Sequence, residues 1–394
     1  MPLKRTNALM SELWTTMKNT ARWQLTSSAM HGFMSAVSSA YGYAKDLNES
    51  LNNIRIVSNA SAEEMAKFAE EANRAARALN TTTTSYTNAA LIYYQQGLSD
   101  EEIKKRTDIT IKMANVARQS AEVVSDQLTA VWNNFYKEGE DSLERYADVM
   151  TALGAATASS TDEIAGGLEK FASIADMIGL SFDYAASSLA TITATTRQSE
   201  EVVGTALKTI FARIQGLKLG ETLEDGTDLN KYSESLQRVG IQIFDAMGEL
   251  KDMDNILEEI GAKWEYLGKS EQVALAQAVA GIRQYNQLVS LMDNWDYFQE
   301  NLGVARSSEG TLDEQAEIFE ESWEAASNRV RAAMESIYSD IIKDEAFIDM
   351  LNTVEKIVNA LNKLIDSMGG LKGVIAALGV VGTRVFKEQI GSSL

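Results

Sequence analysis

Pro2 is the only proline in a chain of 394 residues. At a usage of about 5%, a chain of this length would carry roughly 20. Proline breaks helix interiors and is common in tight turns. Its absence after position 2 therefore predicts long helices and few rigid turns. Length sets a prior of two or three domains at roughly 100–200 residues each, and a hydrophobic content of 45% allows a sizeable core. There is no cysteine, so disulfides and cysteine metal sites are excluded.

Charge narrows the class. Lys plus Arg total 36 and Asp plus Glu total 56, for a net charge of −20. The first 60 residues hold six basic and three acidic side chains, so they carry +3 and leave −23 for the rest. An acidic body repels phosphate, which argues against sequence-specific nucleic-acid binding and against loose adhesion to anionic membranes. The opening MPLKRTNALMSELWTT lacks the apolar region of a signal peptide. No run reaches the ~18 apolar residues of a spanning helix.

The helical punctuation is explicit. Residues 1–80 read as an N-terminal helical segment that ends at TTTTSYT, Thr81–Thr87. In QQGLSDEE, Gly97 is placed to end one helix in the left-handed conformation, and Ser99 with Glu102 is spaced as a capping box for the next. The stretch SSTDEIAGGLEKFASIADMIGLSFDYAA repeats this grammar, with Ser160 and Glu163 spaced as a box, Gly179 as a stop and Ser181 as a new start. Ile164, Leu168, Phe171, Ala175 and Ile178 form one apolar face; Leu189 and Ile192 belong to a second helix; Val203, Leu207, Ile210 and Ile214 mark a third. Gly166 and Gly167 lie inside the first of these helices. Interior glycine costs about 1 kcal/mol relative to Ala, which predicts a close backbone approach there.

The helical period fails between residues 218 and 252. LEDGTDLN contains a turn signal, and VGIQIF alternates before a glycine turn, so a small β-hairpin is expected near 239–251. RSSEG, Arg306–Gly310, reads as a linker. From Arg306 to Arg329 there are seven carboxylates and no intervening base, which reads as a solvated helix face. Further on, Leu351, Val354, Val358, Leu361, Ile365 and Met368 alternate steps of three and four. That seam suits either a coiled coil or a packed helix of one domain. The predicted architecture is all-α, an elongated or multi-helix bundle, in three parts: 1–80, a core over 81–305, and a C-terminal segment over 306–394.

No constellation carries chemistry. His31 is the only histidine, which leaves no triad and no multi-histidine metal site. LGKS, Leu267–Ser270, resembles the tail of a phosphate loop, but Lys263 stands where the motif needs glycine. EDGTDLN lacks the calcium-loop spacing. Carboxylate pairs such as Glu200 and Glu201 are too abundant to nominate a hydrolase. No catalytic, cofactor-binding or metal-binding residue is nominated, no cofactor is expected, and the chain is expected not to be an enzyme. Near the C-terminus, Gly369, Gly373 and Ala377 recur every four residues, a spacing that permits tight helix pairing in water or in a membrane.

SYTNAALIYYQQGLS, KRTDITIKMANVARQS, ALGAATASSTDEIAGGLEKFASIADMIGLSFDYAASSLATITATTRQSEEVVGTALKTIFARIQ, LEDGT, KYSESLQRVGIQIFDAMGELKDMDNILEEIGAKWEYL and QVALAQAVAGIRQYNQLVSLMDNW together resemble the core of tail tape measure proteins from long-tailed phages and prophages of Gram-positive bacteria. The resemblance is dense from about 40 to 300. It implies a structural virion protein that occupies the lumen of the tail tube, with a period in the host cytoplasm during assembly. Its length would set tail length, and it would have a role in genome ejection. It implies tail tube protein, tail assembly chaperones and distal tail or tip proteins as partners, a homotrimer in the tail, and contact with the host membrane at infection. An alternative is a membrane-active conduit component released at infection. The chain is short for that family, which implies a fragment, a split product or a prophage remnant. Fully helical, it would reach about 590 Å at 1.5 Å per residue.

Overall fold

The computed structural model describes residues 42–43, 45–136, 142–215, 236–245 and 251–342. Contacts divide the chain into two units, Met1–Ala44 with Met334–Leu394, and Lys45–Ala333. The second unit holds nearly all the described residues. His31, the EDGTDLN turn, the seam from Leu351 to Met368 and the Gly369–Ala377 pattern lie outside them.

Every regular element among the described residues is helical. The helices are α1 (45–58), α2 (Ala62–Ala78), α3 (Thr83–Gln95), α4 (Asp100–Ala117), α5 (Ala121–Phe135), α6 (Leu143–Ala156) and α7 (Thr161–Ala175). After α7 a 3₁₀ turn, Asp176–Ile178, leads to α8 (Phe182–Thr196), α9 (Glu200–Gln215), α10 (Met253–Trp264), α11 (Lys269–Asp293), α12 (Trp295–Arg306), α13 (Thr311–Glu320) and α14 (Trp323–Ile342).

With no proline to interrupt them, six of these helices begin on hydroxyl caps, and several end on left-handed residues. Ser61, Thr82, Ser99, Ser120, Ser142 and Ser181 each accept the amide N–H three residues on, satisfying a donor that the first turn leaves free. Asn80, Gly97, Arg118, Gly179 and Arg197 take positive φ between 55° and 69° at helix ends. Gly97 and Gly179 stand where the sequence places helix stops.

The two spaced boxes each form by half. Ser99 Oγ accepts from Glu102 N–H, but Glu102 turns its carboxylate to Arg106 Nε at 2.7 Å. At Ser160 the opposite half forms, its N–H donating to Glu163 Oε2 at 2.9 Å. The complete box is Ser61 with Glu64, whose carboxyl is held below its usual range by the Ser61 backbone and hydroxyl.

One expectation is corrected and a second is met only in part by the described residues. The break at Thr81–Thr87 is shorter than the polar run, because helix α3 starts at Thr83. The threonines find partners that hold them in a helix: Thr83 Oγ1 accepts from Asn73 Nδ2 at 2.8 Å, and Thr87 Oγ1 donates to Thr84 O and accepts from Ser50 Oγ. Both are fully buried. The hairpin at 239–251 is not present as paired strands among the described residues; residues 246–250 lie outside them. Phe244 forms a single bridge, and Lys251 N–H donates to Ile243 O at 2.9 Å. Gln242 N–H goes to Glu259 Oε2 at 3.0 Å and Gly240 O accepts from Lys263 Nζ, so helix side chains satisfy the extended backbone.

The main core surrounds α7 and α8. Helix α7 packs against α5, α6, α8 and α9, and α8 is also covered by α11 and α12. The sequence-assigned apolar faces all turn inward: Ile164, Leu168, Phe171, Ala175, Leu189, Ile192, Val203, Leu207, Ile210 and Ile214 are at most 1% exposed. RSSEG is a tied turn, because Asp148 of α6 accepts from Gly310 N–H at 3.0 Å and Leu312 N–H at 2.8 Å.

Candidate functional site

The helical hairpin of α7 and α8, with α9 laid across it, forms the centre of the unit. Its geometry rests on missing side chains. A Cβ on Gly167 would lie 2.5 Å from Leu189 Cδ2, and one on Gly204 would lie 2.6 Å from Gly167 O. Of the close approach expected at Gly166 and Gly167, the structure shows it at Gly167, where α9 approaches through Gly204; Gly166 meets only side-chain atoms, the nearer at 3.3 Å. Real Cβ contacts do not reach these distances: the Leu189 side chain fills the space beside Gly167, and the Gly167 backbone fills that beside Gly204.

Helix α8 is buried along most of its length and still carries hydroxyls. Thr191 donates to Ser187 O at 2.7 Å and accepts from Asn301 Nδ2 at 2.9 Å, which ties α8 to α12. Ser187, Ser188 and Thr193 are at most 1% exposed, and their hydroxyls have no protein partner. Small side chains let five helices approach α8, and these hydroxyls are the accompanying cost.

Carboxylates gather where α8 begins. Asp183 accepts both bonds from Arg145 Nη2, at 2.7 and 2.9 Å. Asp254, in the first turn of α10, accepts Ser181 N–H at 3.0 Å. Burial pushes Asp254 above the usual carboxylate range, against the lowering effect of the Ser181 bonds. Tyr184 donates to Glu258, and burial together with that carboxylate pushes the phenol up. Glu258 also accepts from Gln299 Nε2 at 2.9 Å. Burial likewise raises Asp148, although its two backbone donors pull it down. Each of these groups is committed to a helix terminus, an arginine or a cross-helix bond. These bonds fasten helix termini and neighbouring helices to one another.

A cleft of about 660 Å³ opens beside α2 and α4. Met65, Phe68 and Ile103 form its apolar side, and Glu64, Lys67, Glu71 and Lys104 its charged side. Lys67 pairs with Glu63 and Lys104 with Asp108, so its cations are occupied. Among the described residues, no group of three or more His, Cys, Asp or Glu side chains could hold a metal ion. No described helix is long and apolar enough to cross a membrane.

The residues weighed for chemistry take structural places. Gly268 of LGKS caps α11, with its N–H on Glu271 Oε2 at 2.8 Å, and a helix rather than a strand precedes it. Glu200 and Glu201 occupy the first turn of α9, where carboxylates favour the helix dipole. Asp148 escaped sequence reasoning because its partners lie 162 and 164 residues away.

The family of phage-related minor tail proteins matches residues 71–281, from within α2 to a break in α11, and this chain belongs to that family. No solved structure matches the chain.

Proposed function

We propose that this chain is a tape-measure-type component of a phage tail. It would occupy the lumen of the tail tube, take part in tail assembly and the determination of tail length, and have a role in genome ejection. The observation that carries the reading is the family match over residues 71–281, a segment whose described part is helical and whose buried carboxylates are all engaged in packing. The near-absence of proline and the seam from Leu351 to Met368 support it, since both favour extended helix. Tail tube protein, assembly chaperones and distal tail proteins are the proposed partners, three copies per tail the proposed stoichiometry, and Gram-positive phages or prophages the proposed source type.

The test is tail length by electron microscopy after a three-heptad insertion following Met368. Extended helix lengthens the tail by about 32 Å, at 1.5 Å per residue over roughly 21 residues. Intact particles with unchanged tails would place the ruler elsewhere. The membrane-conduit alternative rests on Gly369, Gly373 and Ala377, and dye release from liposomes by the intact chain tests it separately.

A further inference from the structure

Helices α13 and α14 meet at an elbow that holds its shape. Glu321 and Ser322 N–H close onto Ile318 and Phe319 carbonyls, Ser322 Oγ accepts from Ala325 N–H, and Arg329 reaches both Glu320 O and Asn80 Oδ1. Lys112 pairs with Asp313, tying α13 to α4. On this braced frame three large apolar side chains face solvent: Trp323 is 87% exposed, Ile318 64% and Val330 61%. Trp323 and Val330 are seven residues apart on one helix and share a face. The other described tryptophans, Trp132, Trp264 and Trp295, all pack into the core.

Around Ile318 and Trp323 the stripe lies among carboxylates, while Arg329 and Arg331 flank Val330. Glu317, Glu320, Glu321 and Glu324 are exposed and make no ion pair within the described residues. An exposed tryptophan flanked by aliphatic side chains and a charged rim has the anatomy of a binding surface. We infer that the α13–α14 elbow docks a basic amphipathic helix of another polypeptide, whose apolar face covers Trp323, Ile318 and Val330 and whose Lys and Arg side chains meet the four glutamates. Charge selects this occupant. A second copy of the same stripe would set carboxylates against carboxylates, and like charges across an interface are penalised. The inference stands independently of the tape-measure reading.

The probe is a short amphipathic Lys/Leu helical peptide titrated into the full chain by calorimetry, with a Glu/Leu isomer as control. The Lys/Leu peptide binds, the Glu/Leu peptide does not, and added salt weakens the complex. Trp323→Ala reduces affinity about tenfold or more, and Trp323→Phe restores most of it. Glu320→Lys with Glu324→Lys abolishes binding, whereas the same charge change at exposed Glu201 and Glu265 leaves it intact. Circular dichroism checks that the variants keep their helices. Equal losses in both charge-reversed pairs, or binding indifferent to Trp323→Ala, would reduce the effect to general attraction by an acidic chain and overturn the inference. Sedimentation that shows self-association abolished by Trp323→Ala would assign the stripe to a second copy and overturn it equally.

Discussion

Gly204 of α9 sits against the carbonyl of Gly167 in α7, so closely that a Cβ on Gly204 would stand 2.6 Å from that oxygen. The contact sets how near the two helices lie, and it predicts a split among neighbouring glycines. Gly204→Ala gains about 1 kcal/mol of helix propensity but must push two backbones apart, at about 1–3 kcal/mol or more. It should lower the thermal midpoint, as should Gly167→Ala against Leu189. Gly166→Ala meets only the flexible Glu200 side chain, at 3.3 Å, and should be neutral or stabilising. Thermal melts of the three variants check the order. A stabilised Gly204→Ala would show that the approach is not tight.

Two carboxylates should give opposite pH signatures. Glu259 would be raised by its burial, but Lys251, the Gln242 N–H and the charge of Lys263 outweigh this and hold it below its ordinary 4.5. Its contribution is therefore present above pH 4.5 and lost as pH falls through the folded-state value. Burial holds Asp148 above its ordinary 3.8. The folded state keeps that proton to higher pH, so its titration favours folding below 3.8, and the gain is lost as pH rises through the folded-state value. In denaturant titrations, the deficit of Glu259→Gln relative to the parent should shrink on acidification. That of Asp148→Ala should widen, from a starting loss of about 1–3 kcal/mol, because the buried Leu312 amide is left without an acceptor. Parallel pH trends in the two variants would refute the assignment.

Buried hydroxyls along α8 should also divide. Ser188→Ala and Thr193→Val remove groups without protein partners, and each should be neutral or stabilising by up to about 1 kcal/mol. Thr191→Val strands Asn301 and should cost about 1–3 kcal/mol. Chemical denaturation distinguishes them, and equal effects at all three positions would contradict the bonding pattern.

Gly281 breaks α11 with φ 75° and ψ 168°, a region open essentially to glycine alone. The Arg213 guanidinium lies 3.1 Å from where a Cβ would stand. Gly281→Ala should destabilise the unit by about 1–3 kcal/mol. Unchanged stability with increased helicity by circular dichroism would mean that α11 can straighten without loss.

Much of the fold was legible because it is local. The apolar faces of α7, α8 and α9 repeat with the helical period, and a helix can bury such a face in only one way. Ser181 and Gly97 act within a turn of their own positions, so a few residues suffice to read them. Residues 81–87 misled because polar β-branched composition signals a break, whereas Asn73 and Ser50 supply the bonds that make those threonines helical. The hairpin was legible only in part, since residues 246–250 lie outside the described residues: alternation in VGIQIF identified extended backbone, but which group satisfies Gln242 N–H depends on where α10 passes.

The sequence by itself determined that the described residues are helical, where several helices start and stop, and which faces turn inward. Those properties follow from periodicity and capping, which act over a handful of residues. Tertiary structure alone decided that Asp148 closes the turn into α13, that Gly204 meets Gly167, and that Trp323 is left in solvent among unpaired glutamates. Each joins or separates residues far apart in the chain. Their meeting depends on how whole helices stack, and no local spacing encodes it.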